Sequence, residues 1–169
     1  MAPTADLTAV LLIAHGSRHA PANDDLHQLA ARFIERGDHP IVEPCFLELA
    51  APDILKGGGR CVAQGATRVL MIPYFLSAGV HLLRDLTAAR DSLRQAHPGV
   101  EFRLGPALGP DPLLEQLVAE RIARLDSDDE APAFASSDDL AKLYAPMDHH
   151  EGSEGLTVMA SLDTNRPKD

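Results

Sequence analysis

Three ionisable residues stand at equal intervals along the first half of the chain: His15, Glu48 and His81. His15 follows the apolar run Val10–Ala14, and Glu48 follows Ile41–Leu47. His81 comes after Arg68–Phe75 and the short loop Leu76–Val80. Two imidazoles and a carboxylate suit a divalent first-row metal that keeps open coordination positions. The same groups suit proton abstraction near neutral pH, because imidazole titrates there without a large shift. No local ligand motif such as H-E-x-x-H joins them. The residues by themselves therefore leave two readings open, a shared site or three unrelated loop residues.

The elements needed to bring them together can be read from the hydrophobic pattern. Val10–Ala14 is short and continuously apolar, as in a strand buried on both faces at the centre of a parallel sheet, and Gly16 supplies a tight turn after it. With Asn23 or Asp24 as its cap, a helix then runs with Leu26, Leu29, Ala30, Phe33 and Ile34 on one face, and Gly37 and Pro40 end it. Ile41–Leu47 is the second strand, and Pro44 within it predicts an edge position or a bulge. Pro52–Gly65 reads as a helix that Gly57-Gly58-Gly59 makes flexible or broken, since each glycine costs about 1 kcal/mol against alanine. Arg68–Phe75 is the third strand, His81–His97 the third helix, Val100–Leu104 a short fourth strand and Leu113–Leu125 a last amphipathic helix. Four strand–helix alternations predict an α/β fold: an open, mainly parallel four-stranded sheet with helices on both faces. In such a sheet the strands deliver their carboxyl ends to one rim, where ligands bind. His15, Glu48 and His81 all fall on that rim.

Composition narrows the classes. The chain has 169 residues, of which 45% are hydrophobic, enough for one domain with a real core. The expected division is a domain over residues 1–125, an acidic linker over 126–139 and a tail over 140–169. A net charge of −10 and 4% aromatic residues argue against nucleic acid as a partner. No apolar run is long enough for a membrane span, and the N-terminus lacks the basic region of a signal peptide, so the expected location is the cytoplasm. Cys45 and Cys61 have no C-x-x-C spacing and read as small buried hydrophobes.

The blocks V-L-L-I-A-H-G-S-R, C-F-L-E-L-A-A-P-D-I and I-P-Y-F-L-S-A-G-V-H-L-L-R-D-L, in that order and spacing over about residues 8–125, resemble the sirohydrochlorin chelatases of the CbiX/SirB type. The chain is similar to the short, single-unit form and not to the longer form with two fused halves. The resemblance implies a half unit of the class II chelatase fold and insertion of a divalent metal into sirohydrochlorin, a modified tetrapyrrole with eight carboxylates. Co²⁺ insertion leads towards cobalamin and Fe²⁺ insertion to siroheme, with Ni²⁺ in a further branch. The metal is substrate, and no permanently bound cofactor is expected. By the same resemblance His15 and His81 are the paired histidines of the site and Glu48 its acid; whether each histidine is ligand or base stays open. The chain departs from the family at Asp85-Leu86-Thr87, where a proline usually follows the acidic block.

Ser17, Arg18 and Arg84 lie near the two histidines in sequence and are candidates for ring carboxylates, arginine in a bidentate contact; ordinary surface charge is the plainer reading of Arg84. His149-His150, between Asp148 and Glu151, forms a second, weaker candidate for metal capture. A homodimer is expected, because one rim is too small to cover a tetrapyrrole and two-fold association is the commonest symmetry. Two rival functions use the same residues. A histidine-dependent phosphatase would want an arginine before His15-Gly16, and Ala14 stands there. A non-catalytic protein binding or delivering metal or tetrapyrrole would need no turnover.

Overall fold

The computed structural model describes residues 6–127. The linker beyond Ser127, the tail and His149-His150 lie outside the described residues. Eight elements alternate: β1 (Thr8–Ala14), α1 (Pro21–Glu35), β2 (Ile41–Phe46), α2 (Ile54–Ala63), β3 (Arg68–Pro73), α3 (Val80–Ala96), β4 (Glu101–Leu104) and α4 (Pro112–Asp126). The four strands form one parallel sheet in the order β2-β1-β3-β4. The expected fold class holds. β1 is flanked on both sides, and its five central residues are buried, as its unbroken apolar run requires. Pro44 sits on β2, an edge strand, opposite Leu12, so its missing N–H costs the ladder little.

Side chains alternate across the sheet and divide the core in two. Leu11, Ile13, Cys45, Val69, Met71 and Phe102 meet α2 and α3 through Ile54, Cys61, Leu86 and Leu93. Val10, Leu12, Val42 and Phe46 meet α1 through Leu26 and Ala30. Cys45 and Cys61 are free and buried, as their apolar reading anticipated. Burial raises both thiols' pKa, that of Cys61 to about 12, and holds them protonated.

Three local expectations need correction. α2 is continuous through its glycine triplet. A Cβ on Gly57 would stand 2.8 Å from the Cys45 Cβ, and one on Gly58 would stand 2.6 Å from Leu93. These two glycines let the helix lie close against β2 and α3, which outweighs their poor helix propensity. α2 also starts later than Pro52: Asp53 is its N-cap, its side chain accepting from Lys56 N–H at 2.8 Å. α1 starts earlier, with Pro21 in its first turn, and Asn23 is no cap.

α4, expected to be amphipathic, buries no residue of its own and shows only weak segregation of apolar from polar side chains. Leu113, Leu117, Val118, Ile122 and Leu125 are all exposed. The face of β3 and β4 turned away from α2 and α3 carries an ion-pair ladder instead. On it Glu101 accepts from Arg68 at 3.1 Å and from Arg103 at 2.7 Å. Among the described residues no helix is long and apolar enough to cross a membrane.

Candidate metal and tetrapyrrole site

The pairing of β1 with β2 does not stop where the strands end. Leu47 N–H donates to Ala14 O at 2.8 Å and Glu48 N–H donates to His15 O at 3.0 Å. These bonds carry the first two candidate residues past the sheet side by side. Gly16 makes the approach possible. Its φ is +93°, and a Cβ there would lie 2.0 Å from the Glu48 carbonyl oxygen. Only glycine fits that geometry. The result is a His15 Nε2–Glu48 Oε1 separation of 3.6 Å, with both side chains more than half exposed. That is longer than a good hydrogen bond and within ion-pair range, open to a ligand that would sit on or between the two groups.

The turn carrying His15 is fastened from below. Ser17 N–H donates to Asn23 Oδ1, and Asn23 Nδ2 donates to Ser17 O, each at 2.9 Å. Sequence reasoning read Asn23 as a helix cap and missed this clasp. The available signal was Pro21, which favours the first helical turn and so places Asn23 inside the helix. The Ser17 hydroxyl accepts from His19 N–H at 3.0 Å. A cavity of about 270 Å³ opens beside the turn, lined by His15, Ser17, Asn23, Asp25, Phe46 and Tyr74 among others. Asp25 was not anticipated as a neighbour of this cavity. The volume lies below the range of about 300–1,000 Å³ usual for small-molecule sites. The cavity by itself is thus smaller than a usual small-molecule site, and it opens onto the rim beside His15.

His81 is the second residue of α3, beyond the end of β3 on the same rim, and is exposed. Arg84 follows one turn later and Arg18 lies after the β1 turn, both exposed. Among the described residues no three His, Cys, Asp or Glu side chains are grouped closely enough to hold a metal ion. His15 and Glu48 are thus brought together, and His81 shares their rim without closing a three-ligand cluster.

The fold is a four-stranded parallel α/β sheet with an imidazole–carboxylate pair at its carboxyl rim. Similarity to known proteins defines the family. The family model described as CbiX matches residues 9–125, and the chain belongs to that family. It is 32% identical over 143 residues to the chloroplastic sirohydrochlorin ferrochelatase of Arabidopsis thaliana, covering 82% of this chain and 64% of that protein. It is 38% identical over 120 residues to the sirohydrochlorin ferrochelatase of Priestia megaterium, covering 69% of this chain and 44% of that one. The sirohydrochlorin cobaltochelatase of the same organism is 34% identical over 117 residues, 38% of its length. The chain thus spans less than two thirds of each of these relatives. Among solved structures, SirB from Bacillus subtilis with Fe³⁺ superposes with a TM-score of 0.64 at 28% identity, over 70% of this chain and 47% of that one. A CbiX protein from Marinobacter aquaeolei VT8, described as a putative cobalamin biosynthesis protein, gives 0.60 at 29% identity, over 70% of this chain and 96% of that one.

Proposed function

We propose that this chain is a sirohydrochlorin chelatase that inserts a divalent metal, Co²⁺ or Fe²⁺ with Ni²⁺ as a third candidate, into the macrocycle. The observation that carries the reading is the His15–Glu48 pair, 3.6 Å apart and exposed at the carboxyl rim. Insertion exchanges one metal dication for two pyrrole N–H protons, so the ring leaves with the metal and two protons must be taken up. Neutral His15 presents a nitrogen lone pair that either accepts a proton or holds the incoming metal loosely. Glu48 beside it neutralises an imidazolium or a metal charge and passes a proton to solvent, to which both groups are open. His81, on the same rim, is the second imidazole of the proposed site. Ser17, Arg18 and Arg84 are the proposed partners of the ring carboxylates.

The test is a spectral assay of the purified chain with sirohydrochlorin and each metal in turn. Insertion above the spontaneous rate is expected with at least one metal. His15→Ala and His81→Ala should each remove most of that rate with little change in melting behaviour, and Glu48→Gln should lower it. Full activity in both histidine variants would reject the site.

The active species in this reading is a homodimer. Its support is α4, whose five large apolar side chains find no cover among the described residues, together with a rim too small to enclose a tetrapyrrole. A second copy covering α4 would take these side chains out of water and set two rims in one assembly. Light scattering at micromolar concentration checks this. A fully active 18.1 kDa species would refute it.

A further inference from the structure

Leu49 is the one non-glycine residue among those described with a positive φ, at 64°. Ala50 N–H donates to Glu48 O at 2.8 Å, closing a three-residue turn with Leu49 at its centre. With φ positive this is the rarer, strained hand of that turn. Glycine, or asparagine with its short polar side chain, occupies such a conformation at far less cost than leucine. Core packing does not account for the choice, because Leu49 is 49% exposed and belongs to neither core cluster. Strain of this kind persists at ligand clamps, where an exposed side chain has to be held in place.

Its surroundings indicate what is held. Leu49 directly follows Glu48 at the end of β2. Tyr74, Leu76 and Val80 follow the end of β3, and all three are exposed, Leu76 and Val80 by more than 70%. The strand order places β1, and therefore His15, between these two groups. Tyr74 lines the same cavity as His15. The rim is thus an apolar collar on both sides of an imidazole–carboxylate pair. A flat macrocycle with apolar faces and a carboxylate edge is the complementary shape.

We infer that Leu49 is a substrate-contact residue, its strained turn holding the side chain up as an apolar platform for one side of the macrocycle. Tyr74, Leu76 and Val80 support the other side, so that the ring centre lies over His15 and Glu48. The inference rests on the chelatase reading above. Leu49 has no part in proton or metal transfer; it contributes binding that is equal in the ground and transition states.

The variants Leu49→Asn and Leu49→Gly remove the platform while relieving the backbone. Initial rates of Co²⁺ or Fe²⁺ insertion against sirohydrochlorin concentration, with melting temperature and light scattering on the same samples, test the assignment. KM for sirohydrochlorin should rise about fivefold, as for losing contact with half a leucine side chain, and kcat should stay within about twofold. The melting temperature should hold or rise, since strain is removed, and Leu49→Met should keep KM near the parent value. An unchanged KM in both variants of an active enzyme would overturn the inference. So would a rise in KM that merely tracks a change in oligomeric state. A parent chain that inserts no metal would overturn the chelatase reading itself, a result distinct from either.

Discussion

Replacing Gly16 by alanine tests how the site is assembled. The added Cβ would lie 2.0 Å from the carbonyl oxygen of Glu48, where a contact of at least about 3 Å is required. That oxygen is main chain, and it already accepts from Ala50 N–H. No side-chain rotation can relieve the clash, so the two loops must separate by about 1 Å. The separation falls on the Glu48 N–His15 O bond, and with it on the 3.6 Å spacing of the two side chains. A non-glycine residue at φ +93° adds about 1–2 kcal/mol of backbone strain, and the overpacking about 1–3 kcal/mol more. The expected loss is about 2–5 kcal/mol, read as a lower denaturant midpoint at unchanged slope. In the fraction that folds, metal insertion should fall about 100-fold, as for a 1 Å misplacement of reacting groups. Parental midpoint and rate together in Gly16→Ala would refute the claim that this approach sets the His15–Glu48 geometry.

The first and last glycines of the α2 triplet should respond with opposite signs. Gly57→Ala meets the Cys45 Cβ and Leu11 at under 3 Å and should cost about 1–2 kcal/mol net of its helix gain, whereas Gly59→Ala meets nothing within 4 Å and should stabilise by up to about 1 kcal/mol; paired urea titrations check both. Asp53→Ala removes the α2 cap and should cost about 1 kcal/mol, or about 3–6 °C in melting temperature. The hydrogen bond from the Lys56 backbone N–H lowers the folded pKa of Asp53, so the parent–variant difference should be constant above the ordinary carboxylate pKa near 4. It should shrink as pH falls through the lowered folded value, which melting curves from pH 7 to pH 2 would follow. A chain ending at Ser127 should remain folded and cooperative, since both core clusters are built from residues before that point; a molten product by near-ultraviolet circular dichroism would refute the proposed domain boundary.

The parts of the fold legible in the sequence were those governed by one-dimensional periodicity. β1 is unbroken in its apolar character because it is flanked on both sides, and Pro44 marks an edge because proline cannot donate. The candidate site was legible as far as strand ends could be counted, which placed His15, Glu48 and His81 on one rim. What escaped was set by contacts distant in sequence. The Gly57–Cys45 approach turns an apparent helix breaker into a packing surface, and nothing within α2 announces it. Asn23 looked like a cap because its partner, Ser17, is reached only after the chain turns. Leu49 gave no signal, since its left-handed backbone belongs to a turn whose shape its neighbours impose. α4 was legible as a helix, but it buries no residue among those described, so the sequence did not tell which surface would cover its apolar side chains.

The proline in β2 has a consequence for how copies of the chain can meet. Successive residues of a strand aim their backbone groups to alternate sides. The alternation that points Leu47 N–H inward at Ala14 points the nitrogens of Val42, Pro44 and Phe46 outward. Phe46 N–H is taken by Pro52 O at 2.9 Å, and Pro44 has no proton to give. Among the described residues, Val42 alone is left to offer a donor along the margin that β2 forms. A stray extended segment therefore finds almost no template on which to add itself, and runaway strand-by-strand growth is blocked from that side. At the β2 margin, strand addition is thus disfavoured by the backbone itself, whatever side chains an incoming segment carries.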